Sequence, residues 1–331
     1  MLKAIDLEIG YNVPEHHKNR VGQKLNFEAC DGELVALIGP NGIGKSTLLK
    51  TIARLLPKLS GTLFINGVNQ DEIENSNYAE LLSFVSTDII RVPNFSVYQL
   101  VALGRFPYTN WIGSLTKSDK EVIDLALNLV GLSSLQSKPI NEISDGERQR
   151  AMIARALAQN TPIIVLDEPT AYLDITNKYD IVHLLGELTL KQNKTIVFST
   201  HDLNIAFSEA DKIWMMGHGY ALQGAPEDLV LDNAFESLFG SRLQFEWQSG
   251  TFKKSKQIYY SVSLSGNRNS LFELTVNALS RIGFMVNENS GTKITIAEKD
   301  KHNLFILENQ NSVKEFKDIY GLCSFLKREK A

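Results

Sequence analysis

Gly39-Pro-Asn-Gly-Ile-Gly-Lys-Ser-Thr47 is the stretch that decides the fold of this chain of 331 residues. An apolar run at 34–38 precedes it and predicts a buried strand, while the pattern at 45–56 predicts a helix that ends before Pro57. A strand, a glycine-rich loop and a helix in this order are the context in which G-x-x-x-x-G-K-[ST] binds a triphosphate. The glycines let backbone N–H groups turn inward, and the helix N-terminus adds partial positive charge.

Every position of this loop is a candidate contact for the phosphates of a nucleotide. Lys45 supplies a positive charge to the β and γ phosphates, and the hydroxyl of Ser46 is a candidate ligand for Mg²⁺. The predicted nucleotide-binding residues of the loop are Gly39, Pro40, Asn41, Gly42, Ile43, Gly44, Lys45, Ser46 and Thr47.

A second apolar stretch, Ile163-Ile-Val-Leu-Asp-Glu-Pro-Thr170, ends in two acids. A strand this hydrophobic is typical of a parallel sheet buried on both faces, and ligands bind at the carboxyl ends of such strands. Asp167 is suited to holding Mg²⁺, and Glu168 is placed to polarise the water that attacks the γ-phosphate. The two stretches together predict a nucleotide-hydrolysing site.

Short apolar runs and helical patterns alternate over 1–245, which is typical of an α/β fold with a largely parallel sheet. Within this region Ser118-Asp-Lys-Glu121 predicts a capping box that opens a helix extending to Val130. A polar stretch at 246–256 predicts a linker. Residues 257–331 then predict a small α+β domain of unassigned role, with a strand at 257–264, a helix at 270–282, strands at 284–288, 292–297 and 303–308, and a last helix at 312–327.

The charge distribution supports a domain boundary near residue 250. From Gly250 onward 13 basic residues stand against 8 acidic ones, whereas the preceding part holds 21 against 30. The net charge of −4 argues against a general nucleic-acid binder, so no nucleic acid is expected as a partner. No apolar run reaches the roughly 18 residues that would span a bilayer.

The stretch Ser144-Asp-Gly-Glu-Arg-Gln-Arg150 lies upstream of the two acids, and the combination resembles the ATP-binding cassette (ABC) ATPases over about 1–245. The chain is most similar to the importer subunits that power uptake of ferric siderophores, haem or cobalamin. The resemblance implies a P-loop cassette with a RecA-like core, an antiparallel β subdomain and a helical subdomain at about 88–160. It also implies ATP and Mg²⁺ as cofactors, and ATP hydrolysis coupled to transport as the activity.

The resemblance assigns roles to individual residues. Tyr11 looks like the aromatic residue that stacks on adenine. Asp174 falls in the D-loop, which couples the two active sites, and His201 resembles the switch histidine that contacts the γ-phosphate. Glu168 then becomes the general base and Lys45 the phosphate clamp. The residues that fall on the signature loop are Ser144, Asp145, Gly146 and Glu147.

The resemblance also implies partners, because in this family the signature loop of one subunit closes over the ATP held by another. We therefore expect a homodimer in the ATP-bound state. It would be attached to integral membrane permease subunits at the cytoplasmic face of the inner (plasma) membrane, with an external substrate-binding protein as an indirect partner. The segment at 95–108 resembles the helical part that receives the permease, although its apolar positions also fit a subdomain core.

Two positions depart from the family pattern. Asp145 stands where the family usually has glycine, and its carboxylate either repels the γ-phosphate or points away as a favourable acid in the first turn of a helix; we favour the second. Thr87 stands where the Q-loop glutamine belongs. The missing glutamine leads to the hypothesis that Thr87 or Asp88 contributes to the water shell of the metal.

Alternatives to an iron-chelate or cobalamin importer stay open at this point. A zinc or manganese importer ATPase would carry the same motifs. So would an ATP-gated binding module whose hydrolysis is vestigial. Fused membrane helices, a second phosphate loop and a heptad run are absent from the sequence, which argues against exporters, translation-factor ABC proteins and DNA-repair relatives respectively.

Overall fold

The computed structural model describes residues 1–11, 19–87, 95–109, 113–240, 243–246, 250–254, 258–299, 302–309 and 312–329. The chain forms two compact units, Met1–Phe252 and Lys253–Ala331. Each unit has its own hydrophobic core. Among the described residues, no helix is both long and apolar enough to cross a membrane.

The elements of the first unit alternate as an α/β fold requires. Its strands are β1 (Leu2–Tyr11), β2 (Asn19–Ala29), β3 (Leu34–Ile38), β4 (Ser60–Ile65), β5 (Val68–Asn69), β6 (Leu82–Val85), β7 (Ile163–Leu166), β8 (Thr195–Ser199), β9 (Lys212–Gly217), β10 (Tyr220–Gly224), β11 (Leu243–Glu246) and β12 (Thr251–Lys254). The last of these begins in the first unit and continues past Phe252. Its α-helices are α1 (Lys45–Ile52), α2 (Asn75–Leu81), α3 (Val97–Ala102), α4 (Lys117–Leu129), α5 (Asp145–Ala158), α6 (Ile175–Gln192), α7 (Leu203–Glu209), α8 (Pro226–Leu231) and α9 (Ala234–Phe239). Short 3-10 helices cover Gln70–Glu72, Leu103–Tyr108, Ser133–Leu135 and Ile140–Glu142.

The central sheet orders its strands β10-β9-β3-β8-β7-β6. All neighbouring pairs are parallel except β9 with β10. Strands β3, β7 and β8 are buried along their whole length, which is why each reads as a continuous apolar run in the sequence. The carboxyl ends of these three strands therefore meet side by side at one edge of the sheet.

A second, antiparallel sheet with the order β2-β1-β4-β5 shares a core with one face of the central sheet and with α1. Phe27 of β2 stacks on Trp214 of β9, with ring centroids 4.9 Å apart. Leu48 and Leu49 of α1 are fully buried in the same core. This arrangement confirms the predicted fold class, a P-loop cassette with an antiparallel β subdomain, and it fixes α1 in front of β3.

Helix α1 ends at Ile52, four residues earlier than the sequence predicted. Arg54 adopts a left-handed conformation with φ +57°, and the N–H of Leu55 turns back to the carbonyl oxygen of Lys50 at 2.8 Å. The chain thus closes the helix with backbone hydrogen bonds well before Pro57, which was the stop signal used in the prediction.

Helices α3, α4 and α5 form the helical part of the first unit and share one hydrophobic core. The predicted capping box at Ser118 and Glu121 is wrong, because α4 begins two residues earlier, at Lys117, and is capped by Thr116. The Thr116 hydroxyl accepts a hydrogen bond from Asp119 N (3.2 Å), and the Asp119 carboxylate accepts one from Thr116 N (2.9 Å). Thr116 and Asp119 have the same three-residue spacing as Ser118 and Glu121. Of the two acids, only Asp119 gains a buried partner.

That partner is Arg105, whose side chain is buried between three elements. Its Nε donates to Asp119 Oδ1 at 2.8 Å, and its Nη1 donates to the carbonyl oxygen of Ala158 at 2.9 Å. The Tyr108 hydroxyl donates to the carbonyl oxygen of Gln159, also at 2.9 Å. The 3-10 segment Leu103–Tyr108 is thereby fastened to the C-terminal end of α5.

The end of the first unit is held by an aromatic cluster. Phe252 is 8% exposed and packs on Phe235, with ring centroids 4.4 Å apart, while Phe245 packs on Phe207 at 4.7 Å. The N–H of Phe252 also donates to Asn204 Oδ1 at 2.8 Å. The predicted linker at 246–256 therefore contains a strand and a buried aromatic anchor, which its polar neighbours conceal in the sequence.

The second unit is an α+β fold. Its elements are β13 (Tyr260–Ser265), α10 (Ser270–Arg281), β14 (Phe284–Val286), β15 (Lys293–Lys299), β16 (His302–Asn309), β17 (Ser312–Phe316) and α11 (Ile319–Arg328), and its sheet has the order β14-β13-β15-β16-β17. The prediction of one helix over 312–327 is wrong, because its first part is a strand that pairs antiparallel with β16. The helix starts only after Asp318, whose carboxylate caps it by accepting a hydrogen bond from Gly321 N at 2.6 Å.

Replacing Asp119 tests the buried pair that anchors the helical part. Hydrogen bonds from the hydroxyl and N–H of Thr116, together with Arg105, lower the pKa of Asp119 from 3.8 to about 2. Asp119→Ala leaves the buried Arg105 without its negatively charged partner, so we expect the free energy of unfolding at pH 7 to fall by about 3–5 kcal/mol. Urea unfolding followed by circular dichroism measures this loss.

The pH dependence has a definite sign. Because the pKa of Asp119 is depressed in the folded state, its contribution is present above about pH 4 and disappears as the pH falls toward 2. The difference between wild type and Asp119→Ala should shrink over that range. Glu121→Ala, on the exposed side of α4, is the matched control and should change stability by no more than about 0.5 kcal/mol. Equal effects of the two substitutions would contradict the assignment.

Candidate functional site

The phosphate loop runs from the end of β3 to the start of α1, and glycine is required where it turns. Gly44 caps α1 with φ +109°, and a Cβ atom at this position would lie 2.3 Å from Cγ1 of Val21 on β2. Gly42 also has a positive φ, +75°. Both conformations disfavour residues with side chains. Because the first N–H groups of a helix have no partner inside it, the start of α1 offers donors and partial positive charge to an anion.

Lys45 folds back across this loop and is 5% exposed. Its Nζ donates to the carbonyl oxygen of Gly39 at 2.8 Å and lies 3.4 Å from Nδ1 of His201. Burial lowers the pKa of Lys45 below its usual value, while the carboxylates of Glu168 and Asp167 act in the opposite direction. A phosphate group beside Nζ would be a stronger partner than a carbonyl oxygen, because both partners would be charged.

Asp167 lies at the carboxyl end of β7 and is almost fully buried, at 2% exposed. Its Oδ1 accepts hydrogen bonds from the Ser46 hydroxyl at 3.0 Å and from the Ser199 hydroxyl at 2.8 Å. A buried carboxylate is stable only when such partners compensate for lost water. The structure thus brings the two predicted metal ligands, Ser46 and Asp167, into direct contact.

Glu168 follows directly and turns its carboxylate toward the loop. Its backbone is left-handed, with φ +46°, and its N–H donates to the Ser199 hydroxyl at 2.8 Å. Its Oε1 lies 2.5 Å from Nε2 of His201, which stands just beyond β8. The predicted base and the predicted switch histidine are therefore neighbours, and His201 bridges Glu168 and Lys45.

The side chains of Lys45, Ser46, Glu168 and His201 line a cleft of about 460 Å³. Tyr11 forms one wall, is 46% exposed, and places its hydroxyl 3.3 Å from Oγ1 of Thr47. Its ring is open to the stacking that the resemblance implies. Among the described residues, those that line the cleft are Tyr11, Val21, Asn41, Gly42, Gly44, Lys45, Ser46, Thr47, Glu168 and His201.

The signature loop begins α5 with a capping box. The Ser144 hydroxyl accepts a hydrogen bond from Glu147 N at 3.2 Å and donates to Glu147 Oε2 at 3.0 Å, while Ser144 N donates to the same oxygen at 2.8 Å. These bonds lower the pKa of Glu147 below its usual value, the backbone N–H of Ser144 having the largest effect. The backbone N–H groups of Ser144 and Glu147 are therefore both paired within the box.

Asp145, the departure from glycine, lies in the first turn of α5 with its side chain 63% exposed. Its Oδ1 lies 2.5 Å from Nη1 of Arg148, so its negative charge has a cation beside it. Arg148 also donates to the carbonyl oxygen of Ile143 at 3.1 Å, which ties the pair to the loop that precedes the helix. The carboxylate is thus held along the surface of its own helix.

The signature residues do not line the cleft described above. Gly146 instead packs on Asn177 of α6, and a Cβ atom at Gly146 would lie 3.3 Å from Asn177 Cγ. Asp174, which the resemblance assigns to the D-loop, caps α6, accepting hydrogen bonds from N and Nδ2 of Asn177 at 2.8 and 2.9 Å. The beginnings of α5 and α6 therefore form one surface, separate from the cleft within a single chain.

Thr87 lies in a bend two residues after β6 and is half-buried. Strand β6 runs beside β7, and Asp167 N donates to the carbonyl oxygen of Val85 at 2.9 Å. The chain that leads to Thr87 therefore begins next to Asp167. Asp88 lies outside the described residues.

Sequence reasoning missed two residues that shape the cleft. Val21 packs over Gly44, and its contact depends on the pairing of β1 with β2, which a local pattern does not reveal. Ser199 joins Asp167 to Glu168 although it is distant from both in sequence. Its one signal in the sequence was polarity, since it directly follows the apolar residues 196–198 of β8. In the structure Ser199 is 0% exposed.

Family models and known proteins match parts of this chain. The family model described as ABC transporter matches residues 23–171, and the model described as Iron ABC transporter C-terminal domain matches residues 260–327. An uncharacterised ABC transporter ATP-binding protein of Methanocaldococcus jannaschii is 38% identical over 72% of this chain and 81% of its own length. The ferric enterobactin transport ATP-binding protein of Escherichia coli is 34% identical over 73% of this chain and 88% of its own length.

Solved structures show the same architecture. One, described as a metal-chelate type ABC transporter in an inward-facing conformation, matches with a TM-score of 0.63 and 27% identity over 76% of this chain and 94% of that chain. Another is a dimer of an ATP-binding cassette in a post-hydrolysis state bound to ADP and Pi. It matches with a TM-score of 0.58 and 28% identity over 65% of this chain and 94% of that chain.

Gly44→Ala tests whether the loop geometry governs nucleotide binding. The added methyl would strain the backbone and collide with Val21, so we expect ATP affinity to fall about 100-fold or more, since the phosphates lose aligned N–H donors. Titration with a fluorescent ATP analogue measures the Kd.

Two further variants show where such a loss comes from. Gly67→Ala is the matched control, because Gly67 has φ +80° and open space around it, away from the cleft. It should leave the Kd unchanged. Adding Val21→Ala to Gly44→Ala removes the collision and should restore part of the affinity. A wild-type Kd for Gly44→Ala would show that the cleft does not bind phosphate through this loop. A loss that Val21→Ala does not restore at all would show that the collision with Val21 is not its cause.

Proposed function

Since this chain belongs to the family of ABC transporter ATP-binding proteins, we propose that it powers import of an iron chelate, a siderophore or haem, or of cobalamin, through a separate membrane permease. It is a transport ATPase of the ABC type. The observation that carries the hydrolytic part of this proposal is the buried Asp167 and the adjacent Glu168 at the edge of the phosphate loop, with His201 2.5 Å from the Glu168 carboxylate.

The contacts in the cleft support a division of labour during hydrolysis. Lys45 lies at the loop, where it neutralises phosphate charge. Glu168 is placed to accept a proton from the attacking water. His201 contacts both Glu168 and Lys45, so it fixes the position of that carboxylate relative to the γ-phosphate. Tyr11 stacks on the adenine. These roles explain why charged groups converge on a cleft beside a buried sheet.

The residues present also fit Mg²⁺. Asp167 offers a buried carboxylate and Ser46 a hydroxyl in contact with it, and such hard oxygen donors in small number suit a cation that keeps waters and substrate oxygens as its other ligands. When bound there, Mg²⁺ supplies positive charge to the phosphate oxygens. Ser46 and Asp167 would hold it, and Thr87, two residues beyond β6, is the candidate for its water shell.

The cargo is proposed from two comparisons. Residues 260–327 match a domain model named for iron ABC transporters, and a ferric enterobactin transport ATP-binding protein is 34% identical over 73% of the chain. Relatives named for iron(3+)-hydroxamate and cobalamin import match as well. These findings favour an iron chelate or cobalamin over zinc or manganese. We also propose that residues 257–331 form a domain distinct from the cassette at 1–245.

We propose that two copies of the chain complete the site. Ser144 and Gly146 lie outside the cleft of their own chain, yet a helix start with a serine hydroxyl is suited to an anion. A cassette of this fold with bound ADP and Pi is a dimer. A second copy that brings its α5 and α6 surface to the cleft would supply these groups, with Asp174 at the same surface.

The 3-10 segment Leu103–Tyr108 supports the proposal of a permease partner. Phe106 is 74% exposed and Leu103 is 47% exposed, although the segment is fastened by Arg105 and Tyr108. A rigid segment that presents large apolar side chains to solvent is typical of a protein interface. Attachment there would place the chain at the cytoplasmic face of the membrane, with an external binding protein as an indirect partner.

Glu168→Gln tests whether hydrolysis is real or vestigial. The amide cannot accept the proton, so we expect hydrolysis to fall about 100-fold or more while ATP still binds, which traps an ATP-bound dimer. Phosphate release measures hydrolysis, and size-exclusion chromatography with ATP measures the dimer. Glu227→Gln, an exposed acid in the first turn of α8, is the control and should hydrolyse ATP as wild type does. An unchanged rate in Glu168→Gln would contradict the proposed base.

Phe106→Ser tests the permease surface. Loss of an exposed aromatic side chain should weaken the affinity for the permease about tenfold, because an apolar contact is lost. A smaller fraction of the chain should then sediment with membranes of its native cells. ATP hydrolysis by the isolated chain should not change. Leu190→Ser, 86% exposed on α6, removes a comparable side chain elsewhere and should leave sedimentation unaffected. If both variants sediment like wild type, this segment is not the docking surface.

A further inference from the structure

We propose that Ser199 is a positioning residue for ATP hydrolysis, which sets the orientation of both acids at the end of β7. The inference rests on the proposed hydrolysis and deepens it. Ser199 does not line the cleft, so it acts through Asp167 and Glu168 rather than on the nucleotide.

The hydroxyl of Ser199 uses both of its hydrogen-bonding functions on two consecutive residues. It donates its hydrogen to Asp167 Oδ1 at 2.8 Å, and its oxygen accepts the N–H of Glu168 at 2.8 Å. Ser199 is 0% exposed, so water does not compete for either bond. One side chain of β8 thereby fixes a carboxylate and a peptide group of the neighbouring strand.

The bond to Asp167 orients the carboxylate. Its Oδ1 receives two hydroxyl hydrogens, one from Ser46 at the start of α1 and one from Ser199 at the end of β8. Two donors on one oxygen fix the rotation of the carboxylate more tightly than one. Without Ser199, Asp167 would remain buried with one of these two partners, and its orientation toward Ser46 would loosen.

The bond to Glu168 stabilises a backbone conformation that is otherwise unfavourable. Glu168 has φ +46°, in the left-handed region that residues with side chains rarely adopt. This conformation turns the Glu168 side chain toward His201, 2.5 Å away. The N–H of Glu168 is the group that Ser199 binds, so the hydroxyl holds the turn at the residue where the strain lies.

The consequences fall on the chemical step and on the contribution of Mg²⁺, rather than on binding of ATP in the absence of Mg²⁺. Loss of the Ser199 hydroxyl should leave the phosphate loop, Lys45 and Tyr11 unaltered, so ATP should bind without Mg²⁺ as it does in wild type. It should reduce kcat about tenfold, because the proton acceptor is less often in place. It should also diminish the gain in ATP affinity that Mg²⁺ provides, because Asp167 is less well oriented.

The pair Ser199→Thr and Ser199→Val isolates the hydroxyl, since the two side chains have the same shape and only threonine keeps the donor and acceptor. In the full-length chain we expect Ser199→Thr to retain most of the kcat of wild type and Ser199→Val to show about a tenfold lower kcat. The Kd for ATP, measured by fluorescence with and without Mg²⁺, is the readout that does not depend on activity. Ser199→Ala gives the same comparison without added volume if either variant fails to fold.

Ser83→Ala is the matched control for loss of a buried hydroxyl. Ser83 lies on β6 of the same sheet, is 1% exposed and accepts a hydrogen bond from the Thr161 hydroxyl at 3.0 Å, away from the cleft. It should leave kcat and the effect of Mg²⁺ unchanged. Equal kcat for Ser199→Val and Ser199→Thr, or an equal loss in Ser83→Ala, would overturn the inference. Absence of hydrolysis in wild type would instead refute the proposed function.

Discussion

A buried negative charge organises this molecule. Asp167 sits at the end of a fully buried strand, where water cannot solvate it, and its Oδ1 is bonded by hydroxyls from two different parts of the chain. Ser46 lies in the first turn of α1, which follows β3, and Ser199 ends β8. Because a buried carboxylate without partners is costly, the ends of three neighbouring strands must stay in register around it. The phosphate loop, the acids and the histidine depend on that register.

The rest of the cassette keeps these groups in place from a distance. Burial of Leu48 and Leu49 against the two sheets holds α1 in front of β3, so the loop is shaped by packing as well as by its glycines. Val21, from the antiparallel sheet, closes over Gly44 and leaves no room for a side chain there. The loop sequence and the strand that covers it are therefore mutually constrained, although they belong to different sheets.

Features that depend on consecutive residues were predictable from the sequence. The glycine loop, the apolar strands β3, β7 and β8, and the acids at 167 and 168 needed no knowledge of contacts. What failed depended on competition between similar local signals: Thr116 with Asp119 against Ser118 with Glu121, and a strand against a helix after Ser312. Ser199 and Val21 were missed because their roles come from strand pairing. A single polar residue in an apolar run is a weak signal unless its neighbours in space are known.

Helix α5 has different partners at its two ends. Its N-terminus carries the signature loop and packs on Asn177, whereas its C-terminus is bonded to Arg105 and Tyr108 of the exposed segment that we propose meets the permease. With 14 residues it is a rod about 21 Å long. For a straight helix of this length, a tilt of about 10° displaces one tip relative to the other by about 4 Å. Helix α5 thus connects the exposed segment to the signature loop, and the hydrogen bond from Arg105 to the carbonyl oxygen of Ala158 is the contact that joins it to that segment.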